Sequence, residues 1–199
     1  HARAADLVAE AHRRHWPAVL ASTMRLTRDI DLAEECAQEA FVQALRTWSN
    51  GVPDVPVAWL TTVAKRQALT ILRRRTTLQR RLPDLLVDDD DESESSDPLR
   101  LIFTCCHPAI AVPSQVALTL RLVLGLSTTE IASSLLISEP TAAARITRAK
   151  RKIAAASIPF AMPEPARLEE RLDAVLTVIQ LLYTTGHTAR GAELWRRER

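Results

Sequence analysis

Aromatic residues and glycine are scarce in this sequence of 199 residues. Aromatic side chains make up 4% of it and it contains 4 glycines, whereas hydrophobic residues reach 47%. A chain with so little glycine and with plentiful alanine, leucine and arginine is predicted to have an all-α fold. The hydrophobic content is sufficient for true cores, and the length allows one large or two small domains.

Cysteine is also scarce, and the three residues Cys36, Cys105 and Cys106 exclude a disulfide framework. Three thiols cannot all pair within one chain, and adjacent cysteines have poor disulfide geometry. This pattern favours a reducing, cytoplasmic setting. The sequence also lacks the apolar run of about 18 residues that a membrane span needs, and its charged N-terminus lacks the apolar segment of a signal peptide.

His107 follows the two adjacent cysteines, and this cluster raises the question of a metal site or a Cys–His hydrolase. Adjacent cysteines on a helix point in different directions, and no second Cys-x-x-Cys or His-x-x-x-His pair completes a tetrahedral ligand set. No glycine-rich oxyanion loop accompanies the cluster. We therefore predict that these residues serve helix packing, and we predict no metal, no cofactor and no enzyme activity for the chain.

The net charge of +2 conceals two segregated runs of charge. From Asp84 to Asp97 there are acidic residues and no basic ones, and from Arg145 to Lys152 there are basic residues and no acidic ones. The low hydrophobicity and high charge of residues 83–98 predict a disordered or extended linker that separates two domains. Its acidic side chains either imitate nucleic acid in a basic channel or only keep a tether soluble.

A helix-turn-helix, the motif that places its second helix in the DNA major groove, is indicated within residues 112–156. Gly125 follows an apolar run and can take the left-handed position after a helix. Ser127 and Glu130 form a capping box that starts a short helix. Ser138 can cap the helix that follows.

The last helix of this motif has an apolar side and a polar side. At about 100° per residue, the apolar side contains Ala142, Ile146, Ala149 and Ile153. The polar side, which we assign to DNA, contains Thr141, Ala144, Arg145, Arg148, Arg151 and Lys152. Small residues come first, which suits base edges, and basic residues follow, which suits phosphates. The alternative is an amphipathic helix whose basic side is only solvated.

Helices are predicted over three segments in the first half of the chain: residues 3–27, which form one helix or a helix pair with Pro17 as a kink or boundary, residues 31–48 and residues 57–75. Asp31 and Glu34 are expected to form a capping box at the start of the second helix. The polar face of this helix is either solvated or a docking face for a basic partner. The residues of that face are Glu34, Glu35, Gln38 and Glu39.

The third predicted helix combines a basic face with an aromatic residue and a turn-rich loop at residues 49–56. Single-stranded DNA is recognised by such a combination, because charge holds phosphates and an aromatic ring stacks on an unpaired base. The candidate residues are Trp59, Thr62, Lys65, Arg66 and Arg73. The alternative places Trp59 in the core and leaves the basic residues solvated.

After residue 158 the sequence predicts a proline-rich hinge, a helix over residues 167–184 and a loop over residues 184–191. The apolar stripe of this helix contains Leu168, Leu172, Val175, Leu176, Ile179 and Leu182. A helix this apolar does not stay exposed, so we expect it to pack on the domains before it or on another chain.

Several stretches are distinctive when taken together: AEECAQEAFVQAL (33–45), WLTTVAKRQAL (59–69) and the helix-turn-helix at 126–153. Two helical modules joined by an acidic linker in this order resemble a bacterial extracytoplasmic-function sigma factor of the sigma-70 family. LRLIFTCCHPAI (99–110) and RAKRKI (148–153) resemble more narrowly a subgroup with an extra C-terminal domain.

The resemblance implies four parts. Residues 1–82 would form a domain like sigma region 2, residues 83–98 an acidic linker, and residues 99–158 a helix-turn-helix domain like sigma region 4. Residues 159–199 would be a C-terminal helical extension, which we expect to be regulatory and incomplete.

The resemblance also assigns partners, namely core RNA polymerase and promoter DNA. The polar face of the second helix would bind the clamp of the largest polymerase subunit, and the second domain would meet the flap of the second-largest subunit. The third helix would melt and hold the −10 element, and the last helix of the helix-turn-helix would read the −35 element. An anti-sigma factor and self-inhibition by the extension both stay open.

Three other functions compete with this prediction. A stand-alone helix-turn-helix regulator would bind duplex DNA tightly without polymerase. A helical adaptor would bind protein and leave its basic helices solvated. An enzyme built on Cys106 and His107 would lose its activity when Cys106 is replaced.

Overall fold

The computed structural model describes residues 2–78 and 97–197, and these residues form helices and no β-strand. The helices are α1 (Ala2–Thr27), α2 (Ile30–Thr47), α3 (Pro56–Leu78), α4 (Asp97–Cys105), α5 (Val112–Leu122), α6 (Thr128–Ser134), α7 (Glu139–Ala155) and α8 (Leu168–Arg197). Short 3₁₀ turns follow α2 and precede α8. The predicted all-α fold is confirmed. None of the described helices is both long and apolar enough to cross a membrane.

The first compact unit, residues 1–99, is a bundle in which α1, α2 and α3 pack against one another. Fully buried alanines line the contact surfaces of α2 and α3, among them Ala33, Ala37, Ala40, Ala44, Ala64 and Ala68. Because methyl groups fill these contacts, the helix backbones can approach closely. Aromatic side chains also meet within this unit: the rings of His12, Trp16 and Phe41 are tilted or edge-to-face, with centroids 4.9–6.0 Å apart.

The capping residue of α2 lies two positions before the predicted one, and the helix begins one residue earlier than predicted. The capping residue is Asp29, whose carboxylate accepts hydrogen bonds from the amides of Asp31 and Leu32. Asp31 therefore lies inside the first turn, where its negative charge interacts favourably with the positive end of the helix dipole. Arg75 near the end of α3 lies 3.6 Å from the Asp29 carboxylate, so the cap also joins two helices of the bundle.

The second compact unit, residues 100–199, contains the helix-turn-helix. The predicted capping box is confirmed: the Ser127 hydroxyl accepts from the Glu130 amide, and the Glu130 carboxylate accepts from the Ser127 amide. Ser138 caps α7 as predicted, and Gly125 has the expected left-handed φ of 69°. The α7 residues that face α5 and α6 are the four predicted ones, Ala142, Ile146, Ala149 and Ile153.

The predicted linker lies mostly outside the described residues. Of residues 83–98, the structure describes the last two, Asp97 and Pro98, and they begin α4. The Asp97 carboxylate is buried and lies 3.6 Å from the Arg25 guanidinium of α1. A buried carboxylate needs such a partner, so this residue belongs to the packed part of the first unit.

The C-terminal helix differs from the prediction in its length and in how little of its apolar stripe is buried. The expected loop at residues 184–191 is wrong, because α8 continues to Arg197 through two isolated glycines. One glycine within a helix costs only about 1 kcal/mol, which the surrounding helix formers offset. The buried α8 residues are Val175 and Val178, whereas Leu172, Leu176 and Ile179 of the predicted stripe are 41%, 58% and 52% exposed. The helix contacts α5 and α6, and its buried residues are Val175, which belongs to the predicted stripe, and Val178, which lies beside that stripe.

Candidate nucleic-acid interface

The polar side of α7 is accessible and carries unneutralised positive charge. Arg148, Arg151 and Lys152 are exposed, and Thr141, Ala144 and Arg145 are half-buried. Within the part of the chain that the structure describes, none of the four basic side chains forms an ion pair. Basic side chains without protein partners are available to DNA phosphates. The release of the counterions that had been bound to those phosphates favours DNA binding.

The N-terminal end of α7 is held by its cap. The Ser138 hydroxyl lies 2.8 Å from the Thr141 hydroxyl and accepts from the Thr141 amide at 3.4 Å. Thr141 is thus positioned by the same residue that begins the helix. A helix of 17 residues whose first turn is fixed in this way can present that turn to base edges in a major groove.

The basic face of α3 is arranged as the sequence predicts. Leu60, Ala64 and Ala68 are buried, whereas Thr62, Arg66 and Arg73 are exposed and Lys65 is half-buried. The face therefore projects from the bundle and is not part of its core. Like the side of α7, it combines positive charge with hydroxyl groups that can contact a DNA backbone.

Trp59 is supported by a second tryptophan that the sequence did not single out for this role. Its half-buried ring meets the ring of Trp48 edge to face, with centroids 5.7 Å apart and an interplanar angle of 61°. Trp48 is 3% exposed, so the partner ring of Trp59 belongs to the core. The Trp59 ring is therefore neither fully in the core nor fully exposed, and its role in binding a base stays a prediction.

The polar face of α2 is smaller than the sequence suggested. Glu35 and Gln38 are exposed and Glu39 is half-buried, but Glu34 is 5% exposed. The Gln38 amide donates to the Glu34 carboxylate at 3.4 Å. Glu34 can therefore orient Gln38, and a partner would meet mainly the other three residues.

The cluster of Cys105, Cys106 and His107 lies at the end of α4. Both cysteines are buried free thiols, as the packing prediction requires, and the Cys106 sulfur lies 3.8 Å from the Thr119 hydroxyl. Burial, together with the guanidinium groups of Arg171 and Arg167, lowers the pKa of His107. A neutral ring agrees with its Nδ1 accepting a hydrogen bond from the Ala109 amide at 3.1 Å. The described residues contain no group of three or more potential metal ligands.

We expect all three thiols to resist alkylation in the native protein. Burial raises the pKa of Cys36 to about 11 and raises those of Cys105 and Cys106, so each stays protonated at pH 8. Because the thiolate is the reactive form, iodoacetamide should modify the native protein at least about a hundredfold more slowly than the protein in guanidinium. A native thiol that reacts at the rate of a free cysteine would contradict this expectation.

Comparisons with known proteins match the two units separately. A family model of sigma-70 region 2 matches residues 11–77, and a model of sigma-70 region 4 matches residues 100–153. An uncharacterized protein of Rhizobium meliloti (strain 1021) is 40% identical over 186 residues. That alignment covers 87% of this chain and 44% of the relative, so the chain spans less than half of that protein's length.

Proposed function

Because the chain belongs to the sigma-70 family, with a region 4 typical of its extracytoplasmic-function group, we propose that it directs promoter recognition by core RNA polymerase. The observation that carries this proposal is the set of basic side chains on α7, which lack protein partners in the described structure and project from a capped helix-turn-helix. The second unit would read the −35 element, and the first would hold the −10 element.

In the first unit, the melted strand would pass along α3. Arg66 and Arg73 offer exposed charge for phosphates, Thr62 offers a hydroxyl, and the open part of the Trp59 ring offers a surface for an unstacked base. Lys65, half-buried on the same face, would add charge close to the helix.

Core polymerase would bind the acidic face of α2. Glu35, Gln38 and Glu39 present carboxylate and amide groups on one side of the bundle. Such a face attracts a basic partner and orients it, and the buried Glu34 would hold Gln38 in place. The flap of the second-largest subunit would contact the second unit.

Selectivity would come from two modest contacts made together. Each unit alone presents a small DNA-binding surface, so its affinity for its own element would be low. Once polymerase fixes the distance between the units, the second contact becomes intramolecular and the combined affinity rises. No step of this function requires a catalytic residue, a cofactor or a metal from this chain.

We also propose that residues 159–199 regulate this activity. The described part of the segment belongs to the second unit, in which Val175 and Val178 are buried, and an anti-sigma partner would be an additional route of control. Deletion of residues 159–199 should change promoter-dependent transcription. Unchanged activity and unchanged stability would remove this part of the proposal.

Transcription in vitro with core polymerase and a selected promoter library tests the main proposal. We expect specific transcripts only when the chain and core enzyme are both present, and we expect Arg148→Ala to reduce them about tenfold through the loss of a phosphate contact. Tight, specific binding of duplex DNA by the chain alone would instead support a stand-alone regulator. Failure to associate with core polymerase would overturn the proposal.

A further inference from the structure

His107 lies in the turn between α4 and α5, and its ring accepts a hydrogen bond that only the neutral form can accept. The Ala109 amide donates to Nδ1 of this ring at 3.1 Å. A protonated imidazole carries a hydrogen on both nitrogens, so it has no acceptor for this amide. The rest of the turn is fixed by Gln115 of α5, whose side-chain amide donates to the carbonyls of His107 and Ile110 at 3.0 and 2.8 Å. Protonation of His107 would therefore disturb a turn that is otherwise held in place.

The first turn of α8 brings a guanidinium group next to this turn. The Arg171 side chain donates a hydrogen bond to the carbonyl of Phe103. In a longer helix the amide of His107 would bond to that same carbonyl, because helical amides bond four residues back. Since α4 ends at Cys105, the cation reaches the carbonyl from α8 instead. The guanidinium group therefore lies beside the backbone of His107.

Two positive charges near His107 come from the segment that leads into α8. Burial of the ring lowers the pKa of His107, and the guanidinium groups of Arg171 and Arg167 lower it further. Arg167 belongs to the 3₁₀ turn before α8, and Arg171 belongs to α8 itself. A positive charge on the ring would therefore be repelled by the C-terminal segment.

The other groups that face this turn do not offset that repulsion. The Cys106 thiol stays neutral, because burial raises its pKa. Glu170 is exposed and acts on Arg171, and α5 meets the turn with the uncharged amide of Gln115. The basic residues of α7 that line a cleft with the end of this turn add further positive charge: Arg148, Arg151 and Lys152. Among the described residues, no carboxylate acts on His107.

We infer that His107 makes the attachment of α8 sensitive to acid, because protonation of its ring releases the first turns of α8 from the second unit. Detachment removes both arginines from the ring and exposes it to water, so the detached state binds the proton more readily than the docked state. Docking weakens over the pH range in which the detached state holds more protons. The contribution of the neutral ring is fully present above the ordinary pKa of 6.5, and it is lost as the pH falls through the lower pKa of the docked state. This inference goes beyond the proposed function and does not depend on it.

Hydrogen exchange of the full chain, measured by mass spectrometry from about pH 7.5 to about pH 5, tests this inference. We expect the opening of α8 peptides before residue 184 to rise as the pH falls, by up to about tenfold per pH unit, which is the limit for one proton. The main variant is His107→Asn, whose side-chain oxygen can still accept from the Ala109 amide but does not titrate. Its opening should stay nearly constant over this range. Because both proteins are compared at equal pH, the pH dependence of the chemical exchange step cancels.

Two further variants separate His107 from other effects of acid. His15→Asn removes a half-buried histidine from α1 of the first unit and should leave the pH dependence of α8 unchanged. Arg167→Gln removes one of the two repelling charges, so the rise in opening toward acid should be smaller than in wild type. Its opening at about pH 7.5 should equal that of wild type, since the ring is then neutral and the hydrogen bond from Arg171 to Phe103 remains.

Three results would overturn the inference. If wild type and His107→Asn open equally at every pH, acid does not act through this ring. If α5 and α7 open together with α8 in acid, the unit unfolds as a whole and α8 has no separate release. Should His107→Asn lose its exchange protection already at about pH 7.5, the exposed Arg167→Gln decides the question, and a pH response equal to that of wild type then rejects the inference.

Discussion

Replacing Arg171 by alanine is expected to raise the population of molecules with a detached C-terminal helix by about ten- to a hundredfold. The Arg171 guanidinium donates a hydrogen bond to the carbonyl of Phe103 in the last turn of α4. Carbonyls in that turn have no partner within the helix, and a cation there also meets the negative end of the helix dipole. A charged hydrogen bond of this type is worth about 1.5–3 kcal/mol, which sets the size of the expected change.

Hydrogen exchange measured by mass spectrometry checks this expectation. Peptides of α8 before residue 184 should exchange faster in Arg171→Ala, because the helix loses its hydrogen bond to α4 and keeps only apolar contacts of the kind made by Val175 and Val178. Arg167→Ala is the matched control, since Arg167 is exposed and lies one turn earlier. Equal exchange in wild type and Arg171→Ala would mean that the guanidinium does not hold the helix.

Replacing Trp59 by alanine is expected to reduce the formation of open promoter complexes by about ten- to a hundredfold. Stacking of one base on an aromatic ring contributes about 1–3 kcal/mol, and alanine removes the ring. The edge-to-face contact with Trp48 would be lost as well, so the position of the loop before α3 would be less well defined. Trp59→Phe keeps an aromatic ring and should retain most of the activity.

Permanganate reactivity of unpaired thymines in the −10 element measures this effect. A promoter with a preformed −10 bubble distinguishes two roles: the defect of Trp59→Ala should persist there if the ring binds a base, and vanish if it only assists melting. A duplex probe that contains the −35 element alone serves as control. Holoenzyme with the wild-type chain and holoenzyme with Trp59→Ala should bind this probe equally. Activity of Trp59→Ala equal to wild type on all templates would remove this residue from the interface.

The local structure of the second unit was predictable because its signals are short-range. A capping box needs only Ser127 and Glu130, three residues apart, and the buried side of α7 follows from the helical repeat. Neither signal depends on distant parts of the chain. The same holds for the exposed face of α3, where burial of Leu60 and Ala64 leaves the basic residues outside.

Features that depend on tertiary contacts were not predictable in this way. Apolar residues nearly encircle the first turns of α8, so periodicity alone could not show that Val178 is buried and Leu176 is exposed. The contact of α8 with α5 and α6 determines which of these side chains is buried. Glu34 lies on the polar side of α2 by sequence, yet it is buried in the folded unit.

The alanine-lined contacts of the first unit have a consequence for its response to temperature. A buried alanine loses no rotamer freedom when the chain folds, but it also removes little hydrocarbon surface from water. The heat-capacity increment of unfolding grows with the apolar area that becomes hydrated. For a bundle whose α2 is packed largely through Ala33, Ala37, Ala40 and Ala44, that increment is small and the curve of stability against temperature is correspondingly flat.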